Sequence, residues 1–287
     1  MSALFKSSQE LIQGTKEWLD LRKTKITATD SCIIMGASHW KTKLQLYREK
    51  LSNDSPTPPN ARMQRGLDLE PIARGLFYVQ HGFNVYPSVI VKDWAMASLD
   101  GISACSKHVV EIKCPGEKDH AIALSGKVPE HYYPQLQHQM WVCDVQQMYY
   151  YSFDGTDGVT VIVDRDDDYI EKMIAEEFKF YMCLQEKKEP ELSEGDYVER
   201  NDEIWHSCAE KWKFIVDKIK ELEEEEEEVR KQLIFLSGET NTKGSGIALC
   251  QIERKGNVDY TKIPALKGLD LESYRKPSSS SWRITSK

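Results

Sequence analysis

"VVEIKCPG", residues 109–116, sets the problem. Val109, Val110 and Ile112 form an apolar, β-branched run with the character of a strand, and Cys114-Pro115-Gly116 ends it. Residues two apart on a strand share a face. Glu111 and Lys113 therefore point the same way, an acid and a base side by side at the strand's end. Taken alone, such a pair is equally an edge strand showing charge to solvent, so its neighbours decide. Asp100 closes the preceding strand in "SLDGIS", residues 98–103, and a hairpin joining the two strands sets it near Glu111. Two carboxylates and the main-chain carbonyl of Ile112 are hard oxygen donors suited to Mg²⁺, with Mn²⁺ as a substitute. A cation held there polarises a phosphoryl oxygen and lowers the pKa of a bound water. Lys113 orients that water or offsets charge building in the transition state. The chemistry indicated is phosphodiester hydrolysis.

Three other stretches add to this centre. Glu70, in "RGLDLE", lies on a helix before the sheet, with Arg65 and Gly66 one turn behind it, and can bring a further carboxylate. In "YYPQLQHQMW", residues 132–141, Pro134 can start a helix; Gln135 and Gln139 then face one way and can orient a phosphate or a water. "WLDLRKTKITATD", residues 18–30, offers Arg22 as a bidentate fork for phosphate. Thr27 and Thr29 add hydroxyls where a helix N-terminus begins, a place that favours an anion. Read blandly, these are an exposed helical Glu, surface Gln, and an Arg salt bridge beside an ordinary Thr cap.

Around these motifs the periodicity gives the class. Helices are expected over 14–23, from Thr29 or Asp30 to Gly36, over 41–51 and over 61–81, the last with Leu69, Ile72, Leu76 and Val79 inward. The period then changes. "FNVYPSVIV", "WAMASLDGIS", "HVVEIKC", "QMYYYSFDG" and "GVTVIVDRD" read as strands, a helix near 129–143 crosses between the third and fourth, and a long helix closes the run. This is a mixed α/β core, a central sheet flanked by helices. Residues 205–236 differ: Trp205, Cys208, Trp212, Ile215, Ile219, Leu222, Glu226, Val229, Leu233 and Leu236 form a heptad seam along a helix ~48 Å long. Such a seam needs a partner helix or a groove, and a helix lying along its own domain is the plainer alternative. A hairpin, "IALCQIER" and "VDYTKI" about the turn "KGN", and a basic Ser-rich tail follow. The division expected is 1–200 for the core and 201–287 for the extension.

The bulk numbers bound the setting. Net charge is −8, but the run "ELEEEEEE", residues 221–228, holds seven Glu; without it 38 basic residues face 39 acidic ones. The acidity is local and does not exclude a basic patch elsewhere. Seven Cys at scattered spacings make neither a disulfide framework nor a zinc ribbon. Cys32, Cys143 and Cys250 read as small core residues. No apolar run is long enough to span a membrane, and the first residues lack a signal peptide's apolar core. A cytoplasmic protein with no membrane partner is expected.

The order W-x-x-L-R-x-x-x-I-T-A-T, R-G-x-x-x-E, L-D-G, E-I-K-C-P and Y-x-x-Q-x-Q-x-x-M-W, over roughly residues 13–165, resembles the YqaJ-type viral recombinase and lambda exonuclease family of the PD-(D/E)XK nuclease superfamily. The resemblance implies a PD-(D/E)XK core with Asp100 and Glu111 as metal ligands, Lys113 as catalytic lysine, Glu70 as the helical acid and Gln135 as the motif glutamine. Arg22 and Thr29 match positions that hold the 5′-phosphate. It implies a Mg²⁺-dependent 5′–3′ exonuclease that acts on double-stranded DNA ends and leaves 3′ overhangs for a single-strand annealing protein. It also implies a phage or prophage origin in a bacterial host cell. A ring-shaped homo-oligomer goes with it, a trimer by resemblance, with a tetramer as the other size. Leu99 stands where the superfamily's naming Pro would be, and residues beyond about 200 have no counterpart in the small family members. An endonuclease of the same fold, for restriction or repair, and a non-catalytic DNA-binding or assembly protein remain as alternatives.

Overall fold

The computed structural model describes residues 11–38, 40–52, 58 and 60–252, with 256, 259, 262–266, 269 and 274–277 beyond them. The chain divides into two compact units, Met1–Tyr197 and Val198–Lys287.

The first unit is built on a six-stranded mixed sheet. Its strands are β1 (Ile26–Thr27), β2 (Tyr86–Lys92), β3 (Ala95–Ile102), β4 (Val109–Lys113), β5 (Gln147–Phe153) and β6 (Gly158–Asp164). β1 runs parallel to β3 and β4 parallel to β5, while the pairs β2–β3, β3–β4 and β5–β6 are antiparallel. The parallel β4–β5 pair requires a crossover, supplied by α5 (Glu117–Leu124) and α6 (Tyr133–Cys143). Before the sheet come α1 (Lys16–Thr24), α2 (Ala28–Ile34), α3 (Lys43–Leu51) and α4 (Ala61–His81); α7 (Asp167–Glu186) follows it.

The two-residue period of the strands sorts side chains into two cores. Val109 and Tyr150 pack with Ala97, Leu99, Leu136 and Met140 beneath α6. Val110, Ile112 and Tyr151 pack with Ala73, Phe77 and Val85 beneath α4. A third cluster joins Ile26, Ile34, Leu46, Phe180 and Leu184 from β1, α2, α3 and α7. Between helices and sheet lies a polar knot with no exposed surface: Ser31 Oγ and Glu177 Oε1 lie 3.0 and 2.9 Å from His138 Nδ1, and His138 Nε2 is 3.3 Å from the Met96 carbonyl. It ties α2, α6, α7 and β3 at one point.

The structure corrects several expectations. α4 turns Ala73 and Phe77 fully inward, with Leu69 and Leu76 partly buried, and leaves Ile72 and Val79 exposed. The small Ala73 lets the helix lie close to the sheet, which a count of bulky residues passes over. α2 begins one turn earlier than expected, with Thr27 as N-cap. Its hydroxyl accepts from Asp30 N and the Asp30 carboxylate accepts from Thr27 N, a reciprocal capping box. Cys32 and Cys143 are buried but Cys250 is exposed. The hairpin of the second unit lies earlier in the chain, pairing β7 (Thr242–Gly244) with β8 (Ile247–Leu249). Its turn residues Ser245 and Gly246 have φ of 49° and 82°, the twist a two-residue hairpin loop demands. Most of the turn "KGN", half of "VDYTKI" and most of the basic tail lie outside the described residues.

The second unit also holds α8 (Glu203–Leu236), a single helix of 34 residues capped by Asp202. No residue of α8 is buried, and of the heptad seam only Trp212 and Leu233 are even half-buried. Among the described residues, no helix is long and apolar enough to cross a membrane.

Candidate active site

The β2–β3 register holds the first clue. Tyr86 pairs with Ile102 and Ser88 with Leu99, so two steps on β2 match three on β3. β3 thus carries one extra residue between Leu99 and Ile102, where Asp100 sits; such a bulge re-aims a side chain. Gly101 follows it because nothing larger fits: a Cβ there would lie 2.6 Å from Val85 Cγ2 and 2.7 Å from Val110 Cγ1. β3 and β4 pair only at Gly101–Val110 and Ile102–Val109. Beyond that the two strands part, and side chains take over their edge groups. Asp100 Oδ2 accepts from Ile112 N at 2.8 Å, and the Asp100 carbonyl accepts from Arg74 Nε at 2.9 Å. N–H and C=O of one strand residue leave on the same edge, so the Ile112 carbonyl also opens into this fork.

Glu111 lies across the fork from Asp100 and is 2 % exposed. Its Oε1 accepts from Lys113 Nζ at 2.5 Å and from Gln135 Nε2; its Oε2 accepts from Gln139 Nε2 at 2.6 Å. Both glutamines, one helical turn apart on α6, therefore grip the carboxylate itself. Lys113 Nζ also stands 5.3 Å from the Tyr132 ring centre. Burial works against the Lys113 charge, but Glu111 and Asp100 outweigh it and hold the ammonium above its ordinary range. Asp100 is displaced the other way: burial first, then the charge of Glu111, push its carboxyl well above the usual carboxylate value, against the pull of Lys113. Glu70 is raised by burial, opposed by Arg74, whose guanidinium it binds one turn away.

The Cys-Pro-Gly stop is fixed from α4. Arg65 Nη1 donates to the carbonyls of Cys114 at 3.1 Å and Pro115 at 3.4 Å, and its Nη2 to that of Asp154. Gly116 is then the N-cap of α5.

Asp100, Glu111, Lys113, Glu70 and Gln135 thus meet at one place. Arg22, Thr27 and Thr29 lie on a neighbouring element, α1–α2. Thr27 is buried, and its hydroxyl and N–H are spent on the capping box of the seven-residue α2. Thr29 is exposed. Arg22 Cζ lies 5.1 Å from the Trp18 ring centre, and no carboxylate forms an ion pair with it among the described residues. Beneath it Asp30 and Lys50 form a buried pair at 2.7 Å. Burial opposes the Asp30 charge, yet Lys50 and Arg22 keep its pKa below the usual value. α2 reaches the fork through Cys32, whose thiol, pushed up to about 11 chiefly by burial, feels the charges of Lys113 and Glu111. Two contributors escaped the sequence reading, Arg74 and Tyr132. The i, i+4 spacing of Glu70 and Arg74 was a signal for the first; the second opens the motif Y-x-x-Q-x-Q-x-x-M-W but was given no role.

The model of the YqaJ-like viral recombinase domain matches residues 17–146. This stretch is similar to that family. Every residue of the fork, and Arg22, Thr27 and Thr29, fall inside the YqaJ-like segment. The YqaJ protein of Bacillus subtilis (strain 168) is 24% identical over 174 residues, 58% of this chain and 54% of that relative; the chain spans about half the length of this curated relative. An alkaline exonuclease from Laribacter hongkongensis, LHK-Exo, is 27% identical with a TM-score of 0.53, covering 61% of this chain and 94% of that one. Its complex with dAMP matches at 26% identity with the same TM-score and coverage.

Whether the fork suits a metal ion can be judged from its donors. Asp100 lies near enough to Glu111 to feel its charge, and no described hydrogen bond reaches Asp100 Oδ1. Gln139 Oε1, fully buried on the residue that grips Glu111, has no partner. Among the described residues no three His, Cys, Asp or Glu form a ready cage. Two carboxylates and a carbonyl fit a hard cation that keeps several waters, as Mg²⁺ does.

Proposed function

We propose that this protein is a metal-dependent 5′–3′ exonuclease that degrades one strand of linear double-stranded DNA and leaves a 3′ single-stranded overhang. The observation that carries the reading is the fork itself: two carboxylates gather where the strands part, with a half-buried, charge-stabilised lysine beside them. That this geometry lies in a YqaJ-like segment with the fold of an alkaline exonuclease supports nuclease chemistry over a purely structural role.

Asp100, Glu111 and the Ile112 carbonyl would hold Mg²⁺, or Mn²⁺ in its place. When bound, the metal supplies a polarised phosphoryl oxygen and a more acidic water. The chain's own residues do the rest. Gln135 and Gln139 fix the Glu111 carboxylate. Lys113, kept charged by Glu111 and Asp100, offsets negative charge as the phosphodiester is attacked. Arg74 holds Glu70 and the Asp100 backbone in place, and burial of Asp100 and Glu111 strengthens every charge interaction here.

Polarity needs a second element, because a metal centre cannot tell one DNA end from the other. Arg22, which has no carboxylate ion pair among the described residues, and the exposed hydroxyl of Thr29 would read the doubly charged 5′-phosphate; Thr27 would support them from its cap. The 3′ strand would pass to a single-strand annealing protein in the cytoplasm of a phage- or prophage-bearing bacterial cell. A ring-shaped homo-oligomer around the duplex would keep hold of the substrate.

Digestion of linear duplex and closed circular DNA, each with and without Mg²⁺, tests this reading. Loss of the linear form alone, only with metal, is expected, and Lys113→Ala should slow it by a factor on the order of 10². Nicking of the circle would indicate an endonuclease, and no cleavage of either would leave a binding protein.

A further inference from the structure

α8 carries an apolar seam with no buried residue. Trp205, Ile215, Ile219, Leu222, Val229 and Leu236 are all exposed, Ile219 by 49 % and Leu222 by 62 %. Seam positions alternate three and four residues apart, the spacing that keeps one stripe facing a partner helix. The charges on the helix are polarised. Residues 203–220 hold four Lys against three acids, whereas residues 221–236 hold seven Glu against one Arg and one Lys. Ion pairs within the helix use only part of them: Lys213–Glu210, Lys218–Glu221, Arg230–Glu226 and Lys231–Glu228. Glu223, Glu224, Glu225, Lys211 and Lys220 have no described ion-pair partner.

We infer that α8 pairs in antiparallel fashion with α8 of a second copy of this chain. Parallel pairing would bring Glu226, the one polar seam residue, against its own copy and lay one acidic run on the other. Antiparallel pairing in register sets Ile219 against Leu222, Trp212 against Val229, Cys208 against Leu233 and Trp205 against Leu236, each layer made twice by the twofold axis. Glu226 then meets Ile215, with Lys211 and Lys218 one turn to either side. Along the flank Lys218 faces Glu225, and the basic half of each helix covers the acidic half of the other. The bulky Trp212 opposes the smaller Val229, so the layers can fill without overlap. This contact is twofold and doubles the mass of whatever assembly the first unit forms.

Light scattering on the full-length protein at micromolar concentration reads the pairing. Ile219→Asp should halve the mass with its helical circular dichroism retained. Lys218→Glu should raise the dissociation constant on the order of tenfold by setting Glu against Glu225, and adding Glu225→Lys should restore it. In a parallel pair the double exchange would instead set like charges at both flanks, Glu against Glu223 and Lys against Arg230. Orientation is read independently by mild oxidation. In a Leu233→Cys variant the new thiol should form an interchain disulfide with Cys208, whereas the wild-type protein should not join Cys208 to Cys208. An unchanged mass in Ile219→Asp, a double exchange no tighter than Lys218→Glu alone, or a Cys208–Cys208 disulfide would each overturn the inference.

Discussion

Replacing Asp100 by Asn should make the metal-free protein more stable while removing its activity. The Asn side-chain oxygen keeps the hydrogen bond from Ile112 N, which Asp100 Oδ2 now accepts at 2.8 Å. What disappears is a negative charge that burial, Glu111 and Glu70 all disfavour, against Lys113 and the Ile112 N–H in its support. The sign follows from linkage. The folded-state pKa of Asp100 lies above its unfolded value, so below about pH 4 the carboxyl is protonated in both states and costs nothing. As pH rises through the unfolded pKa, the unfolded chain releases its proton and the folded one does not. Stability is lost until the folded pKa is passed, and the loss then persists. Each unit of elevation is worth about 1.4 kcal/mol, and 1 kcal/mol moves Tm by roughly 2–4 °C in a domain of this size. Asp100→Asn should therefore melt above wild type at pH 7.5, with the gap closing towards pH 4. Saturating Mg²⁺ should invert the order, since a ligand at 100 times its Kd adds about 2.7 kcal/mol to the protein that binds it and the variant lacks a ligand. Thermal melts of both proteins at the two pH values, with EDTA or Mg²⁺, are sufficient. A variant less stable than wild type in EDTA at pH 7.5, or a gap that Mg²⁺ leaves unchanged, would refute the reasoning.

Glu111→Gln should behave in the opposite way. An amide cannot accept from Lys113, Gln135 and Gln139 together, so at least one buried donor is stranded and denaturant melts should show a loss of about 2–3 kcal/mol. Gly101→Ala should cost about 1–3 kcal/mol by overpacking against Val85 and Val110, and a wild-type midpoint in urea would show that the approach is not tight. Arg22→Ala should slow digestion and erase most of the preference for 5′-phosphorylated over 5′-hydroxyl duplex, through loss of a charge-assisted contact. If rates on the four combinations of enzyme and end show the full preference retained, the terminal phosphate is read elsewhere.

The sequence by itself determined the parts whose signal is local. The alternation in "VVEIKCPG" gave β4 and put Glu111 and Lys113 on one face, because a strand has a period of two whatever surrounds it. Turn residues and helix periodicity gave the order of most elements to within a few residues, though not the two-residue β1 or α5, and five short motifs in order gave the resemblance. What the sequence could not determine were relations set by packing. The inward face of α4 was misjudged because Ala73, too small to stand out in a count, occupies the closest approach to the sheet. The cap of α2 fell on Thr27 because Asp30, drawn under the helix by buried Lys50, reaches back to it. Gln135 and Gln139 could be placed on one helix face from spacing, but only the seating of α6 on the sheet turned that face onto Glu111. Arg74 became part of the centre because β3, carrying one extra residue, parts from β4 at Asp100 and leaves a carbonyl for it to take. A strand pairing and the place where it ends are agreements between segments far apart in the chain, and neither segment alone records them.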